Sequence, residues 1–417
     1  MADLGTDDAR RSRLVPGFYR GLPESVRRCT RPLNLVDECA SFLPAPVRAG
    51  ATTATEMARR LLRLTRVRYP LYRVEGPDAP ATLIVADELS RRYWTHALSL
   101  GAPVDAPAGF VRALDVPRAA RRAPRDVDLQ LWQLPWPLSR RTIDAAIVPS
   151  AVPLWLDTAR PLEAIVTGTP RGRSSRRDDA RRVRRLGLTA RLATTATECE
   201  RFRRDLYEPY TSHRFGALFS SIPAHTFRHA WRSGWLLLLE DAGRTVAGAL
   251  LERWRRDVRI LAFGVAVDGP IPTGLLFEAC YYHSIRFATE TRLPRLSLGT
   301  TRPVLSDGVL RYKRKWGASV GAPSTWEVFG LRYRNTAAVR ALFARAPIVV
   351  DRGSAGLATI VGAAGRSAAD AFASVETPGI DEVACLTDEL SSVVDGVPRR
   401  HAVWPGDVWP ADARLPG

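Results

Sequence analysis

Lysine occurs at only two positions in this sequence, and the two lie in one short run. The chain has 417 residues and 61 Lys+Arg, and every member of that set except Lys313 and Lys315 is arginine. The run reads Arg-Tyr-Lys-Arg-Lys-Trp-Gly. A lysine ammonium is a compact charge with three N–H donors, suited to phosphate or carboxylate groups. Lys313 is therefore the first candidate for a functional cation, and the alternative is a surface lysine on a short helix.

A charged loop leads to this run. Arg302 and Asp307 flank the loop. An arginine can hold an anionic acceptor, and an aspartate can orient a neighbouring lysine or accept a proton. Trp316 and Gly317 are better explained by packing and by the end of a helix.

Two further candidate bases stand at the end of a predicted helix. Glu208 and His213 lie in the segment Tyr-Glu-Pro-Tyr-Thr-Ser-His-Arg-Phe-Gly, at residues 207–216. Both residue types serve as general bases in enzymes. The alternative is capping of the helix end beside a partly buried tyrosine.

A loop rich in glycine and proline, at residues 268–274, separates a strand pattern from a helix pattern. It contains Gly269, Thr273 and Gly274. Backbone N–H groups and the dipole at the start of a helix favour a phosphate, and glycine lets the backbone approach it closely. Glycine and proline also mark ordinary strand-to-helix turns, so the loop alone leaves both interpretations open.

These candidates lie within an ordered series of predicted elements. Apolar patterns predict strands at 235–240, 245–254 and 258–267, followed by a helix at 275–290. A short strand (295–298), a short helix (309–316) and a last strand (325–331) follow. Upstream, residues 70–165 indicate one α/β unit with a charged loop at 118–125.

The order of these elements resembles the second half of the GNAT acyltransferase fold. The stretch from Leu296 to Ala318 is more closely similar to the FemAB-like branch of that superfamily. In it Gly299 ends a strand, a loop follows, and Lys313 precedes a Trp-Gly pair, as in the branch's Lys-x-x-aromatic-Gly run. The resemblance covers about residues 171–333.

The resemblance implies an α+β fold of GNAT type, which is an antiparallel-rich mixed sheet flanked by helices. It also implies two such domains in one chain. The expected division is an Arg/Pro-rich segment (1–69) packing on the first domain, a diverged first GNAT-like domain (70–165), a GNAT acyltransferase domain (166–335) and a C-terminal extension (336–417).

The chemistry implied by the resemblance is acyl transfer to an amine or hydroxyl of a cell-envelope or sugar-type acceptor. The donor would be acyl-CoA, as a co-substrate, or an aminoacyl-tRNA. Neither a G-x-S-x-G elbow nor a Cys/His pairing points to a covalent nucleophile. The expected catalytic residues are Lys313, Asp307, Glu208 and His213, and the expected donor-binding residues are Gly269, Thr273, Gly274, Arg302 and Lys313.

The formal charge of +18 is explained first by the overall amino-acid composition. Arginine is abundant together with alanine, glycine and proline, which is typical of a GC-rich coding sequence. Residues 171–185 carry eight of the arginines and form either a solvated helix face or an anion-binding platform. This segment contains no aromatic residue for base stacking, so no nucleic acid apart from a charged tRNA is expected. The alternative function is a non-catalytic GNAT-like scaffold that binds anionic partners through this surface.

Compartment and metal content follow from simple patterns. The N-terminal residues are acidic and polar without a following apolar segment, and the apolar stretches fall short of the roughly 20 residues of a membrane span. Five scattered cysteines show no zinc-ligand spacing. We therefore expect a cytoplasmic protein with free thiols, no transmembrane segment and no metal; the oligomeric state stays open.

Overall fold

The structure, a computed structural model, describes residues 67–76, 79–100, 107–123, 126–135, 145–167, 173–215, 222–254, 256–323, 327–353, 356–387 and 401–404. Three mixed sheets flanked by helices confirm the predicted α+β class. The predicted N-terminal segment (1–69) lies almost wholly outside the described residues. Among those residues, no helix combines the length and the apolar character needed to cross a membrane.

The helices and strands have the following bounds in the described part of the chain. The helices are α1 (Glu88–Ala97), α2 (Val116–Arg121), α3 (Leu162–Thr167), α4 (Arg173–Arg185), α5 (Ala196–Phe202), α6 (Glu208–Phe215), α7 (Ala224–Ser233), α8 (Thr273–Glu290), α9 (Gly308–Lys315), α10 (Ala337–Arg345) and α11 (Ala368–Val375). The strands are β1 (Arg68–Gly76), β2 (Ala79–Val85), β3 (Gly109–Arg112), β4 (Leu129–Pro135), β5 (Ala146–Pro149), β6 (Val152–Asp157), β7 (Thr189–Leu192), β8 (Trp235–Asp241), β9 (Arg244–Trp254), β10 (Asp257–Val265), β11 (Arg295–Thr301), β12 (Ser319–Val320), β13 (Glu327–Tyr333), β14 (Ile348–Asp351), β15 (Leu357–Gly362), β16 (Glu382–Leu386) and β17 (His401–Trp404). A π turn (Arg203–Tyr207) joins α5 to α6.

The second sheet contains the predicted succession from β8 to β11, whereas the predicted last strand, β13, lies in the first sheet. The strands of the second sheet run β12-β6-β11-β10-β9-β8-β7. β7 to β10 pair antiparallel in succession, α8 follows, and β11 returns parallel to β10. Antiparallel neighbours can be joined by short turns, whereas the parallel return of β11 requires a crossover such as α8.

The first and second sheets exchange one strand each. The first sheet has the order β3-β1-β2-β4-β13-β5, so β13 from the predicted second domain lies between β4 and β5. Conversely, β6 from the predicted first domain pairs with β11 and β12 in the second sheet. The domain boundaries at 165 and 335 stay a prediction, and hydrogen-bonded strands couple the two halves across them.

The third sheet belongs to the C-terminal extension, and its strands β14, β15 and β16 are buried on both faces. Its order is β14-β15-β16-β17, with β15, β16 and β17 parallel. Consecutive residues of β14 belong to two different hydrophobic cores: Val349 lies in one core and Val350 lies in the other. One core lies against the second sheet and the other against the first, so the third sheet lies between them.

The prediction of a charged loop at 118–125 is wrong for residues 118–121, because α2 covers Val116–Arg121. Val116, Pro117 and Ala120 are buried and give this short helix an apolar side. Proline is tolerated in the first turn of a helix, where its missing N–H has no partner to lose. The arginines beside these residues concealed the apolar stripe in the sequence.

Gly264 allows β10 to pack closely on the π turn. A Cβ at this position would lie 2.7 Å from the backbone nitrogen of Tyr207 and 2.8 Å from Cε2 of Phe202. Backbone atoms cannot move aside as a flexible side chain does, so glycine is required here.

Gly264→Ala is therefore expected to lower the free energy of unfolding by about 1–3 kcal/mol, the usual cost of overpacking. Gly109→Ala is the matched control, because a Cβ at this strand glycine meets nothing within 4 Å. Chemical denaturation of both variants tests the prediction, and equal losses of stability would contradict it.

Candidate active site

The second sheet opens between its two parallel strands. β10 and β11 pair over only two residues, ending at Arg259 and Ser297. Beyond this point β10 stays paired with β9 as far as Val265, and β11 stays paired with β6 as far as Thr301. From there on no described pairing joins β10 to β11, although each strand continues along its other neighbour; we call this unpaired stretch the β10–β11 opening.

A bulge in β11 lies where the strands part. Ser297 and Thr300 pair with Trp155 and Pro153 of β6, so β11 carries one extra residue between these pairs. Within the bulge Gly299 has φ of 77°, a conformation that residues with a Cβ rarely adopt. The bulge interrupts the regular ladder at the mouth of the β10–β11 opening.

Lys313 reaches this opening from α9. Its Nζ donates a hydrogen bond to the carbonyl oxygen of Thr300 at 2.8 Å. A Cβ at Gly299 would lie 3.6 Å from this Nζ and 3.9 Å from the carbonyl oxygen of Ile260 on β10. The ammonium therefore lies at the point where β10 and β11 separate, and the absence of a side chain at Gly299 leaves it room.

The charge of Lys313 is buried without a salt bridge in the described part of the chain. The residue is 4% exposed. Burial lowers the pKa of Lys313 to about 8, and the carboxylate of Asp307 opposes that shift. With such a pKa the group can act as an ammonium donor or as a neutral amine that accepts a proton.

The second lysine has a different environment. Lys315 forms an ion pair with Asp179 of α4, a carboxylate that is 2% exposed and also accepts a hydrogen bond from Arg182 at 2.5 Å. Lys315 therefore balances a buried carboxylate and ties α9 to α4. Of the two lysines, Lys313 is the one whose buried charge has no such counterpart.

Asp307 begins α9. Its Oδ1 accepts hydrogen bonds from the backbone N–H groups of Val309 at 2.9 Å and Leu310 at 3.1 Å. No hydrogen bond joins it to Lys313 within the described residues, so its effect on the lysine is electrostatic. The helix cap accounts for this aspartate, and its role as a base stays a prediction.

Arg302 faces Tyr93 of α1. Tyr93 is not among the candidate site residues identified from the sequence. The guanidinium lies 4.4 Å from the centre of the Tyr93 ring and donates to the carbonyl oxygen of Ser150 at 3.4 Å. The Tyr93 hydroxyl is buried and has no hydrogen-bond partner among the described residues. Burial and the nearby Asp307 raise the pKa of Tyr93, so its hydroxyl stays protonated. In the sequence, Tyr93 is one aromatic residue within the predicted α/β unit, and core packing explains such a residue equally well.

Glu208 and His213 lie on α6, which packs with the π turn against β10. Glu208 is in an ion pair with Arg203, which also contacts Glu200. His213 is exposed on α6. Their roles as bases stay predictions, and the ion pair gives Glu208 a structural role as well.

The predicted phosphate loop leads into α8. No side chain caps this 18-residue helix, which begins at Thr273. Gly274 is exposed, and a Cβ there would meet nothing within 4 Å. Gly269 is exposed as well. The helix start is therefore accessible to an anionic group.

The arginine-rich segment forms α4 and is extensively engaged with neighbouring groups. Arg176 is buried and donates to the carbonyl oxygen of Ile165 at 3.0 Å, and Arg182 also pairs with Glu278 at 3.0 Å. Arg184 lies 3.6 Å from Glu163. These contacts hold α4 in place and favour the interpretation of a partly packed helix face over that of an anion platform.

Replacement of Lys313 tests the cost of its burial. Because the folded pKa of about 8 lies below the ordinary value of 10.5, the folded state carries the full penalty below pH 8 and loses it as the pH rises to about 10.5. Lys313→Met is expected to be more stable than the parent protein at pH 7, by up to about 3 kcal/mol, and the difference should vanish near pH 10.5. Denaturant unfolding across this range measures it; a variant that is less stable at every pH would contradict the prediction.

Comparisons with known proteins give distant similarities to solved structures. Models of protein families and curated proteins give no match. Among solved structures, the chain is similar to FemX, with 13% identity and a TM-score of 0.34 over 45% of this chain and 62% of that chain. It is also similar to the C-terminal domain of a putative lysylphosphatidylglycerol synthetase from Agrobacterium fabrum, with 14% identity and a TM-score of 0.32 over 66% of this chain and 85% of that chain. A third similar structure is a GCN5-related N-acetyltransferase from Kribbella flavida, with 16% identity and a TM-score of 0.25 over 67% of this chain and 93% of that chain. The chain spans less than two thirds of the length of FemX.

Proposed function

We propose that this protein is an acyltransferase that brings an acyl donor and an amine or hydroxyl acceptor together at the β10–β11 opening. The observation that carries the proposal is Lys313, a buried lysine without a salt bridge in the described residues, placed where the two strands part. Burying an ammonium without a counter-charge costs stability. A functional requirement accounts for that cost, whereas packing alone does not.

The reaction requires a proton acceptor and stabilisation of the donor carbonyl. The acceptor nitrogen or oxygen attacks the carbonyl carbon, the bond from that carbon to the sulfur or ester oxygen breaks, and the leaving group takes the electron pair. The proton of the acceptor must then pass to a base. As a neutral amine Lys313 can take this proton, and as an ammonium it can donate to the carbonyl oxygen or to the leaving group.

The start of α8 is the best candidate for the phosphates of the donor. Its uncapped N–H groups and helix dipole favour negative charge, and the accessible Gly269 and Gly274 let a phosphate approach the backbone. Acyl-CoA carries its phosphates at the opposite end of the pantetheine arm from the thioester carbonyl, and aminoacyl-tRNA carries phosphates along its backbone, so either donor could be held at the helix start by its phosphates. The proposed donor is acyl-CoA, and a charged tRNA is the second candidate.

The acceptor side is proposed to include Arg302 and Tyr93. The two side chains meet next to Asp307, and together they present a cation and a protonated hydroxyl. Such a pair suits an acceptor that carries an anionic group or several hydroxyls. This chemistry agrees with the cell-envelope or sugar-type acceptors that the FemAB-like resemblance implies.

A screen of donors and one substitution test the proposal. Acyl-CoA or a charged tRNA at 100 times its Kd should stabilise the protein by about 2.7 kcal/mol, seen as a rise in melting temperature. With the donor so found, Lys313→Met should lower turnover by about 100-fold or more while staying folded. Arg311→Gln, an exposed position on the same helix, is the control that keeps activity. The proposal fails if neither donor raises the melting temperature.

Gly274→Ala tests the donor site separately. Since the added Cβ meets no protein atom within 4 Å, and alanine is favoured in helices by about 1 kcal/mol, the variant should be at least as stable as the parent. It should bind the donor at least ten times more weakly, because the methyl group occupies the space next to the helix start. Titration by calorimetry measures the affinity, and unchanged binding would place the phosphates elsewhere.

A further inference from the structure

The C-terminal extension contacts the segment that carries Lys313 from both ends. Upstream of α9, the backbone N–H of Leu305 donates to Pro347 at 2.8 Å, and that of Val349 donates to Pro303 at 2.7 Å. A β-bridge between Val304 and Ile348 lies between these two hydrogen bonds. The loop between β11 and α9 is thus held by the start of the third sheet.

A second set of contacts holds the segment downstream of α9. The N–H of Val320 donates to the carbonyl oxygen of Pro378 at 2.8 Å, and Arg314 on α9 donates through Nη2 to that of Glu376 at 2.8 Å. Gly379 packs directly on the backbone of Val320, where a Cβ would lie 2.0 Å from the carbonyl oxygen. The turn after α11 therefore fits against α9 and β12.

These contacts meet a physical need of the site. α9 has eight residues, and a helix this short is not stable by itself in water. A buried ammonium also favours conformations in which it returns to solvent. Contacts with other elements must therefore hold α9 in place for Lys313 to stay at Gly299 and Thr300, and those of the C-terminal extension add to the ion pair of Lys315 with Asp179.

We infer that the C-terminal extension is a positioning element of the candidate active site, which holds the loop and α9 so that Lys313 stays at the β10–β11 opening. The extension thus has a role beyond burying apolar side chains of the hydrophobic cores. The inference concerns the position of Lys313 and stands or falls independently of the acyl-transfer proposal.

The two lysines make a direct test possible. Selective labelling of lysine with 13C at Cε gives an NMR signal from Lys313 and one from Lys315, so the titration of each is followed separately in the folded full-length protein. In the parent, the Lys313 signal should titrate near pH 8, and assignment follows from Lys313→Met. Denaturation curves confirm that each variant is folded under the titration conditions.

Arg314→Gln removes the hydrogen bond to Glu376, and Arg311→Gln is its matched control. Both substitutions remove one positive charge from α9, so the two variants are matched for net charge. We expect the pKa of Lys313 to rise toward the ordinary lysine value near 10.4 in Arg314→Gln and to rise less in Arg311→Gln. Equal titrations of Lys313 in the two folded variants would overturn the inference.

Gly379→Ala removes the fit of the turn against Val320, and Gly365→Ala controls for backbone strain. Both glycines have φ near 80°, but a Cβ at Gly365 meets nothing within 4 Å. In folded Gly379→Ala the pKa of Lys313 should rise, and in Gly365→Ala it should stay near 8. If Gly379→Ala does not fold, the Arg314 and Arg311 pair decides; if it folds and Lys313 titrates as in the parent, the inference is wrong.

Discussion

The burial of one ammonium group, that of Lys313, is the constraint around which this part of the molecule is organised. Its desolvation is offset by one hydrogen bond to Thr300 and by the nearby charge of Asp307. Lys315, two residues later, is satisfied by the buried carboxylate of Asp179. One lysine therefore contributes to the cohesion of α4 and α9, while the other keeps proton-donating capacity at a break in the sheet.

That break depends on strands contributed by distant parts of the chain. β11 can leave β10 because β6, from the other half of the sequence, pairs with its far edge. β13 crosses in the opposite direction to the first sheet. The exchange of strands means that the two halves cannot separate without breaking ladders of backbone hydrogen bonds. Arg302, which contacts Tyr93 on α1 and Ser150 after β5, lies at the same junction.

Much of the second sheet was predictable, because its strands and α8 carry strong apolar periodicity. The prediction located the strands and helices from β8 to α9 to within a few residues. The third sheet and the short α2 were not predicted, because the many alanine and arginine residues in these segments obscure the apolar pattern. For the candidate site, Lys313 and Asp307 were found because they are close in sequence, whereas Tyr93 contributes through a contact between residues more than 200 positions apart. Glu208 shows the converse: its residue type suggests a base, and the structure gives it an arginine partner.

The sequence alone determined the class of fold, the succession of elements from β8 to α9 along the chain and the identity of the one lysine worth testing. These properties reside in local periodicity and in residue type, which need no knowledge of distant neighbours. Only the tertiary structure decided which lysine is paired, where β10 and β11 diverge and what the C-terminal extension contacts. Pairing, strand divergence and the depressed pKa of Lys313 all depend on which distant groups surround a residue, and no local pattern in the sequence encodes that.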